Sequence, residues 1–577
     1  MAWARKMHQA ATNRWRVVEN KMKSMWLLFI GAVLALCCTG SAFGQADPDR
    51  ELASLRGELR SARQAIERLQ ERADQAQAQL DLSMSAIDSK LDVTQKQVQD
   101  QTAAVTKSVI GVDERVGYIE KTGESNRKHL DRFWLLVAAL FVFFMQAGFL
   151  CLEVGMVRPQ HTAATALKNV LDWLVLSIVY FLFGFAFMYG DSVSGWIGST
   201  LFAPTLTTME AVNPKFGIEF FLFQLAFAGT AATIVSGAMA ERTALVPYMI
   251  IALFAGGLIY PLIGHWAWGI DFSIDPENGT PTGWLKKLGF LDFAGSTVVH
   301  CVGAWISLWG VRQVGPRAGR FRSDGSVNEK PFPPYSLGFS MLGVFILWFG
   351  WWGFNGGSQL RYDLSVSSII LNTNLSAAAG GLVAFMIAVF RDPDRSYVQL
   401  IGGTLGGLVA VTASCDRVTS MDAILIGSIA GVIHYMAFYA MFKLRLDDPV
   451  GAIPVHGACG VWGTLAVAAF GNNLPMGRME QFGMQILGIV VVFATVSLAS
   501  YVFFMLLDQF GIRVSATEER EGFTVGRAPE PVTAARAEIP AGATANVGRE
   551  AVTIARLKVP RDVLGTGPAG STIPLAE

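Results

Sequence analysis

The 577-residue sequence predicts an all-α polytopic membrane protein. Eleven transmembrane helices form a five-plus-five inverted repeat with one extra helix, and a coiled coil precedes them. Three observations carry this reading. Just over half of the residues are apolar and only 16% are charged, where a soluble chain carries about 25%. Apolar runs long enough to cross a bilayer recur from Phe133 to Leu507. Ahead of them lies a polar stretch with apolar residues at heptad spacing.

The first 46 residues read as a signal peptide or signal anchor. A basic lead-in precedes MWLLFIGAVLALCC, and small residues follow near Ala42 to Ala46. Met22 and Met25 are alternative starts. Either way the next segment lies outside the cytoplasm. Residues 47–130 are read as an extracytoplasmic coiled coil rather than a lone solvated helix. Leu52, Leu55, Leu59, Ala62, Ile66 and Leu69 keep a 3-4 spacing; after a stutter at Leu91 the repeat resumes with Val98, Val105, Val112 and Ile119.

Residues 131–523 form the membrane domain. Its spans are expected near 133–155, 169–190, 216–239, 244–265, 292–311, 336–356, 366–390, 397–414, 420–442, 453–470 and 484–508. With the first span starting outside, cytoplasmic loops hold about a dozen Lys and Arg and outer loops about six. The rule that basic loops stay inside therefore gives an outer N-terminus and a cytoplasmic C-terminus, in agreement with the signal segment. Residues 524–577, rich in Ala, Pro and Gly, are expected to be a disordered cytoplasmic tail.

Formal net charge is zero and the basic residues fall in loops, which argues against a nucleic-acid partner. No GxxxxGK[ST] phosphate loop and no HExxH zinc motif occurs. The six cysteines lack metal-ligand spacing and read as small apolar fillers without a structural disulfide. No cofactor or metal is implied.

Two histidines stand out. TVVHCVGA (297–304) and IPVHGACG (453–460) place His300 and His456 in apolar runs, each after Val and before small residues. They lie in the fifth and tenth spans. Five is odd, so the second set of spans is inverted relative to the first, and such repeats put sites near the midplane. A rise of about 1.5 Å per residue puts His300 roughly 10 Å from the outer end of its helix. One such histidine reads first as helix-to-helix glue; a symmetric pair reads as function.

The sequence resembles the ammonium transporter (Amt/MEP/Rh) family. The matching stretches are MQAGFLCLEVGMVR (145–158), FQLAFAGTAATIVSGAMAER (223–242), HWAW (265–268), LDFAGSTVVH (291–300), GWWGFNGGS (350–358), GGLVAVTASC (406–415), LDDP (446–449) and VHGACG (455–460). The resemblance implies a homotrimer in the cell inner membrane, each subunit with its own apolar pore for ammonium or ammonia. It matches Phe227, Trp268 and Ser358 to an outer recruitment site, with Phe223 one turn from Phe227. Phe227 and Phe354 match a stacked gate. His300 and His456 match the twin histidines of the pore, Trp351 a tryptophan lining it, and Asp292 the acid at the start of the fifth helix.

Each residue also has a plainer reading. Trp268 suits an interfacial belt, Phe223 and Phe227 a packed core, Asp292 a helix N-cap, Ser358 a chain turn. Asn372 and Asn374 read as inter-helix hydrogen-bonders. The sequence departs from the family at Gly402, where Ser or Asn is usual, and at Gly451, where a second acid is common. EREG (519–522) matches the family's tail but Phe523-Thr524 follows it. A PII-type regulator is a partner the family implies, and the missing remainder of the tail motif argues against it here. The leading expectation is transport, with an ammonium sensor signalling through stalk or tail as the alternative. An intramembrane enzyme lacks a GxSxG nucleophile, and a light-driven pump lacks a mid-membrane lysine.

Overall fold

The structure, a computed structural model, describes residues 91–522 except 214, 273, 274 and 276–278. The expected signal segment, the first half of the coiled coil and the tail from 524 onwards lie outside the described residues. The helices are α1 (Leu91–Met156), α2 (Pro159–Tyr189), α3 (Leu206–Val212), α4 (Gly217–Ala238) and α5 (Leu245–Trp268). After the short α6 (Trp284–Lys287) comes α7, in which a π turn, Ser296–Cys301, runs into Val302–Val314. Then follow α8 (Leu337–Gly357), α9 (Leu364–Arg391), α10 (Ser396–Thr412), α11 (Ser420–Lys443), α12 (Ile453–Phe470), α13 (Arg478–Asp508) and α14 (Ala516–Glu521). Two small hairpins, Ser192–Val193 with Ile197–Gly198 and Ile270–Asp271 with Thr280–Pro281, close the end of the bundle opposite the tail.

Nine helices among the described residues are long and apolar enough to cross a membrane: α1, α2, α4, α5, α8, α9, α11, α12 and α13. Helices also stand at the fifth and eighth expected spans. There α7 opens on polar Ser296, Thr297 and His300, and α10 is 17 residues long and almost wholly buried.

Local chemistry sets the ends. Ser336 caps α8 by accepting from the Phe339 amide at 3.2 Å, and Asp363 caps α9 by accepting from Ser365 at 2.9 Å. Thr419 with Asp422 and Ser515 with Glu518 form reciprocal capping boxes on α11 and α14. Close packing explains the glycines of the second half. A Cβ at Gly407 or at Gly427 would run into the Ser376 carbonyl, so α9, α10 and α11 approach backbone to backbone.

The boundary drawn at 130/131 falls inside α1, which continues unbroken from Leu91 to Met156 with no Pro to interrupt it. One expectation changes. His300 lies four residues, about 6 Å, from the start of its helix rather than 10 Å. Residues 292–295 are not helical: Gly295 takes φ 113°, and the chain turns there before α7 begins.

Candidate functional site

The site is built on α4, α5, α7, α8 and α12. At the end of the bundle opposite the tail a cavity of about 440 Å³ is lined by Phe223, Phe227, Trp268, Asp292 and Ser358, with Lys286 and Arg417 also on its wall. The ring centroids of Phe223 and Phe227 are 4.5 Å apart, and Trp268 meets Phe227 edge-on at 6.1 Å. Trp268 Nε1 donates to the Asp292 carbonyl at 2.6 Å, which fixes the indole. Ser358 Oγ donates to the Phe354 carbonyl at 2.8 Å, so its lone pairs remain for a donor in the cavity. A small cation here would meet aromatic faces and a hydroxyl acceptor.

Beneath the cavity the rings form one column. Phe227 stacks on Phe354 with centroids 3.9 Å apart and planes 10° apart. His300 follows, 5.5 Å from Phe354 and 4.9 Å from Trp351. His456 lies next, its Nδ1 3.2 Å from Nδ1 of His300, so one ring donates and the other accepts. Trp351 is held by an Nε1 bond of 2.9 Å to Thr412 Oγ1. Both histidines are buried, and His300 Nε2 has no partner among the described residues. All nine residues singled out in the sequence therefore belong to one continuous arrangement.

The histidines share a local construction. Each sits in a six-residue π turn, Ser296–Cys301 or Ile453–Ala458. Such turns carry a backbone irregularity that helices use at functional positions. Eight residues before each histidine is an aspartate that ties down the turn. Asp292 accepts from the amides of Gly295, Thr297 and Val298 at 2.9 to 3.0 Å. Asp448 accepts from Gly451 at 2.9 Å and Ile453 at 2.7 Å. Sequence reasoning missed Asp448. The signal was available as Asp-x-x-Gly-x-x-x-Val-His at both 292–300 and 448–456. Gly295 and Gly451 both take positive φ, 113° and 72°.

Comparison with known proteins decides the family. The family model described as the Ammonium Transporter Family matches residues 133–528. The chain belongs to the ammonium transporter family. A putative ammonium transporter of Synechocystis sp. is 43% identical over 402 residues, 69% of this chain and 73% of the relative. Ammonium transporter Amt2 of Archaeoglobus fulgidus is 38% identical over 422 residues, 70% of this chain and 88% of the relative. Among solved structures, a Sensor Amt Protein is 39% identical with a TM-score of 0.66, covering 70% of this chain and all of its own. Candida albicans Mep2 is 26% identical with a TM-score of 0.61, covering 68% and 87%. This is a family of membrane transporters, not a class of enzymes.

Two further features of this chain were not read from sequence. Gly402, the departure noted above, lies against the His434 ring, which takes the space a side chain at 402 would need. His434 is buried, and neither ring nitrogen has a partner among the described residues. At the opposite end of the bundle from the cavity, the tail helix α14 is pinned through Glu519. Its carboxylate accepts from the Ala318 amide at 2.6 Å and from Arg513 at 2.8 Å, and its carbonyl from Arg158 at 3.0 Å. An ion network lies behind it. Arg317 contacts Glu241 and Asp447 at 2.7 Å each, and Arg158 contacts Glu241 at 2.5 Å. Burial alone would raise the Asp447 and Glu241 carboxyls, but the guanidiniums, Arg317 foremost, outweigh it and hold both below the ordinary carboxylate range.

Proposed function

We propose that this chain carries ammonium across the cell inner membrane as an eleven-span homotrimer with a cytoplasmic C-terminus. Ammonium is recruited at Phe223, Phe227, Trp268 and Ser358, gives up its proton near the Phe227–Phe354 gate, and crosses as ammonia past Trp351, His300 and His456. The observation that carries this reading is the continuous column from the cavity to the paired imidazoles. Aromatic faces attract a cation by about 2 kcal/mol or more once it is desolvated. Neither they nor a hydroxyl removes its charge. The stacked gate and buried rings beneath offer no counter-charge, and a bare ion there is costly. Neutral ammonia is the cheaper passenger, and an imidazole pair can bond it from either side. Asp292 shapes the site from behind, its carboxylate engaged by backbone amides.

The coiled coil is proposed as a trimeric stalk above three pores. Val98, Val105, Val112 and Ile119 form a heptad seam on α1, with Val109 and Val116 between them, all partly exposed in a single chain. Ammonium sensing is the second reading, favoured by the 39% identity to the whole length of a sensor Amt protein.

The test is the current of purified protein in liposomes after an ammonium jump, with sodium and potassium jumps as controls. A saturable current for ammonium alone is expected. Neither current nor a change of internal pH would favour the sensor.

A further inference from the structure

Three ionisable side chains outside the ring column lie inside the bundle between α1, α2 and α4. Glu153, Lys168 and Asp172 are 1 to 3% exposed. Glu153 Oε2 accepts from Asn169 Nδ2 at 2.9 Å and Ser236 Oγ at 2.8 Å. The Lys168 ammonium donates to the Thr243 carbonyl and stands over the Tyr248 ring at 5.7 Å. Arg242 faces Lys168 from the loop after α4, and its own donors go to the carbonyls of Ala238, Ala240, Asp447 and Gly315.

Lys168 and Arg242 together can balance both carboxylates, so charge alone does not place a proton here. The hydrogen bonds do. Thr233 Oγ1 lies 2.6 Å from Asp172 Oδ2, 2.8 Å from the Gly229 carbonyl and 3.0 Å from Gln146 Oε1. A hydroxyl has one proton to give to these oxygens. A proton on Asp172 Oδ2 donated to Thr233, with Thr233 donating to Gly229 and the Gln146 amide turned to donate, satisfies the whole group. Glu153, already accepting two donors, remains the carboxylate beside Lys168. Asp172 Oδ1 and Asn169 Oδ1 are buried without partners among the described residues, which suits bound water. The Tyr248 hydroxyl is buried beside both Asp172 and Ser236.

We propose that this cluster stores one exchangeable proton on Asp172 and is the station through which the proton removed from ammonium leaves toward the tail-side end. The inference rests on the transport reading above. Thr233 is on the gate helix, six residues and about 9 Å beyond Phe227. Asp172 passes its proton by way of water and the Tyr248 and Ser236 hydroxyls to Glu153, which releases it to water, and the next arriving proton recharges Asp172. Only bonds to hydrogen break and form, and no electrons are exchanged.

The test is infrared difference spectroscopy of the full chain in lipid, with currents measured in the same liposomes. A carbonyl band of a protonated carboxyl, moving in heavy water, is expected in the wild type, absent in Asp172→Asn and present in Glu153→Gln. Asp172→Asn should lower the ammonium current about tenfold or more while internal pH still reports ammonia entry. Ser236→Ala, which changes no charge, should lower the current in the same direction and keep the band. No band, or a band that survives Asp172→Asn, overturns the storage site. A lost band with an unchanged current overturns the exit role. A wild type without ammonium current removes the transport reading and the exit role with it, while the band still decides the stored proton.

Discussion

Nδ1 of His300 and Nδ1 of His456 lie 3.2 Å apart, each presented by a π turn that an aspartate eight residues earlier holds by its backbone amides. The pair is thus two copies of one local device, brought face to face by inversion. Backbones held in this way pre-orient the rings, and the bond between the two Nδ1 atoms couples their tautomers.

Replacing both histidines with Leu is expected to abolish the ammonium-driven current, a loss of about tenfold or more for each 1.4 kcal/mol of coupling removed. Electrophysiology of liposomes on a solid support reads it. An unchanged ammonium-specific current would show that the pair does not handle charge.

Trp268→Leu removes an aromatic face from the outer cavity and the bond to the Asp292 carbonyl. With about 1.4 kcal/mol of cation–π attraction lost, the ammonium concentration for half-maximal current should rise about tenfold. Maximal current should change less, because the gate below is untouched.

Gly427→Leu would drive a side chain into the Ser376 carbonyl. The expected cost is about 1–3 kcal/mol, read as a lower melting temperature in detergent. A small polar change at a half-buried position of the same helix, Ser428→Thr, serves as control.

Arg317 holds the tail-side network. Asp447 and Glu241 sit below their ordinary values, so their contribution is present above about pH 4 and is lost as pH falls through the folded values. Acidifying from pH 7 to 5 should therefore leave α14 docked. Release, read by proteolysis after Arg520, is expected only at lower pH. Arg317→Ala leaves two buried carboxylates without their main partner and should release α14 at pH 7, at a cost of about 3–5 kcal/mol.

A stalk of three α1 helices brings equivalent seam positions together. Val112→Cys should cross-link into disulfide dimers under mild oxidation, with the third subunit of each stalk left unlinked, and Glu114→Cys, off the seam, should do so far less. Monomers only at Val112 would count against the stalk.

The positions of the apolar helices and both histidines were legible in the sequence, because lipid imposes length and composition on each segment separately. The site residues were legible through motif resemblance, and periodicity alone left Trp268 a belt residue and Phe227 a core residue. Tertiary structure decided what depends on two segments at once. It set the depth of His300, because a loop fixed by Asp292 delays the helix to Ser296. It let His434 fill the space beside Gly402, from a helix that no motif pairs with that glycine. It gathered Glu153, Lys168 and Asp172 into one buried cluster, though in sequence they are an acid near the end of one apolar run and two charges at the start of the next. Composition can state that a charge lies in an apolar segment; only packing determines which groups share its proton.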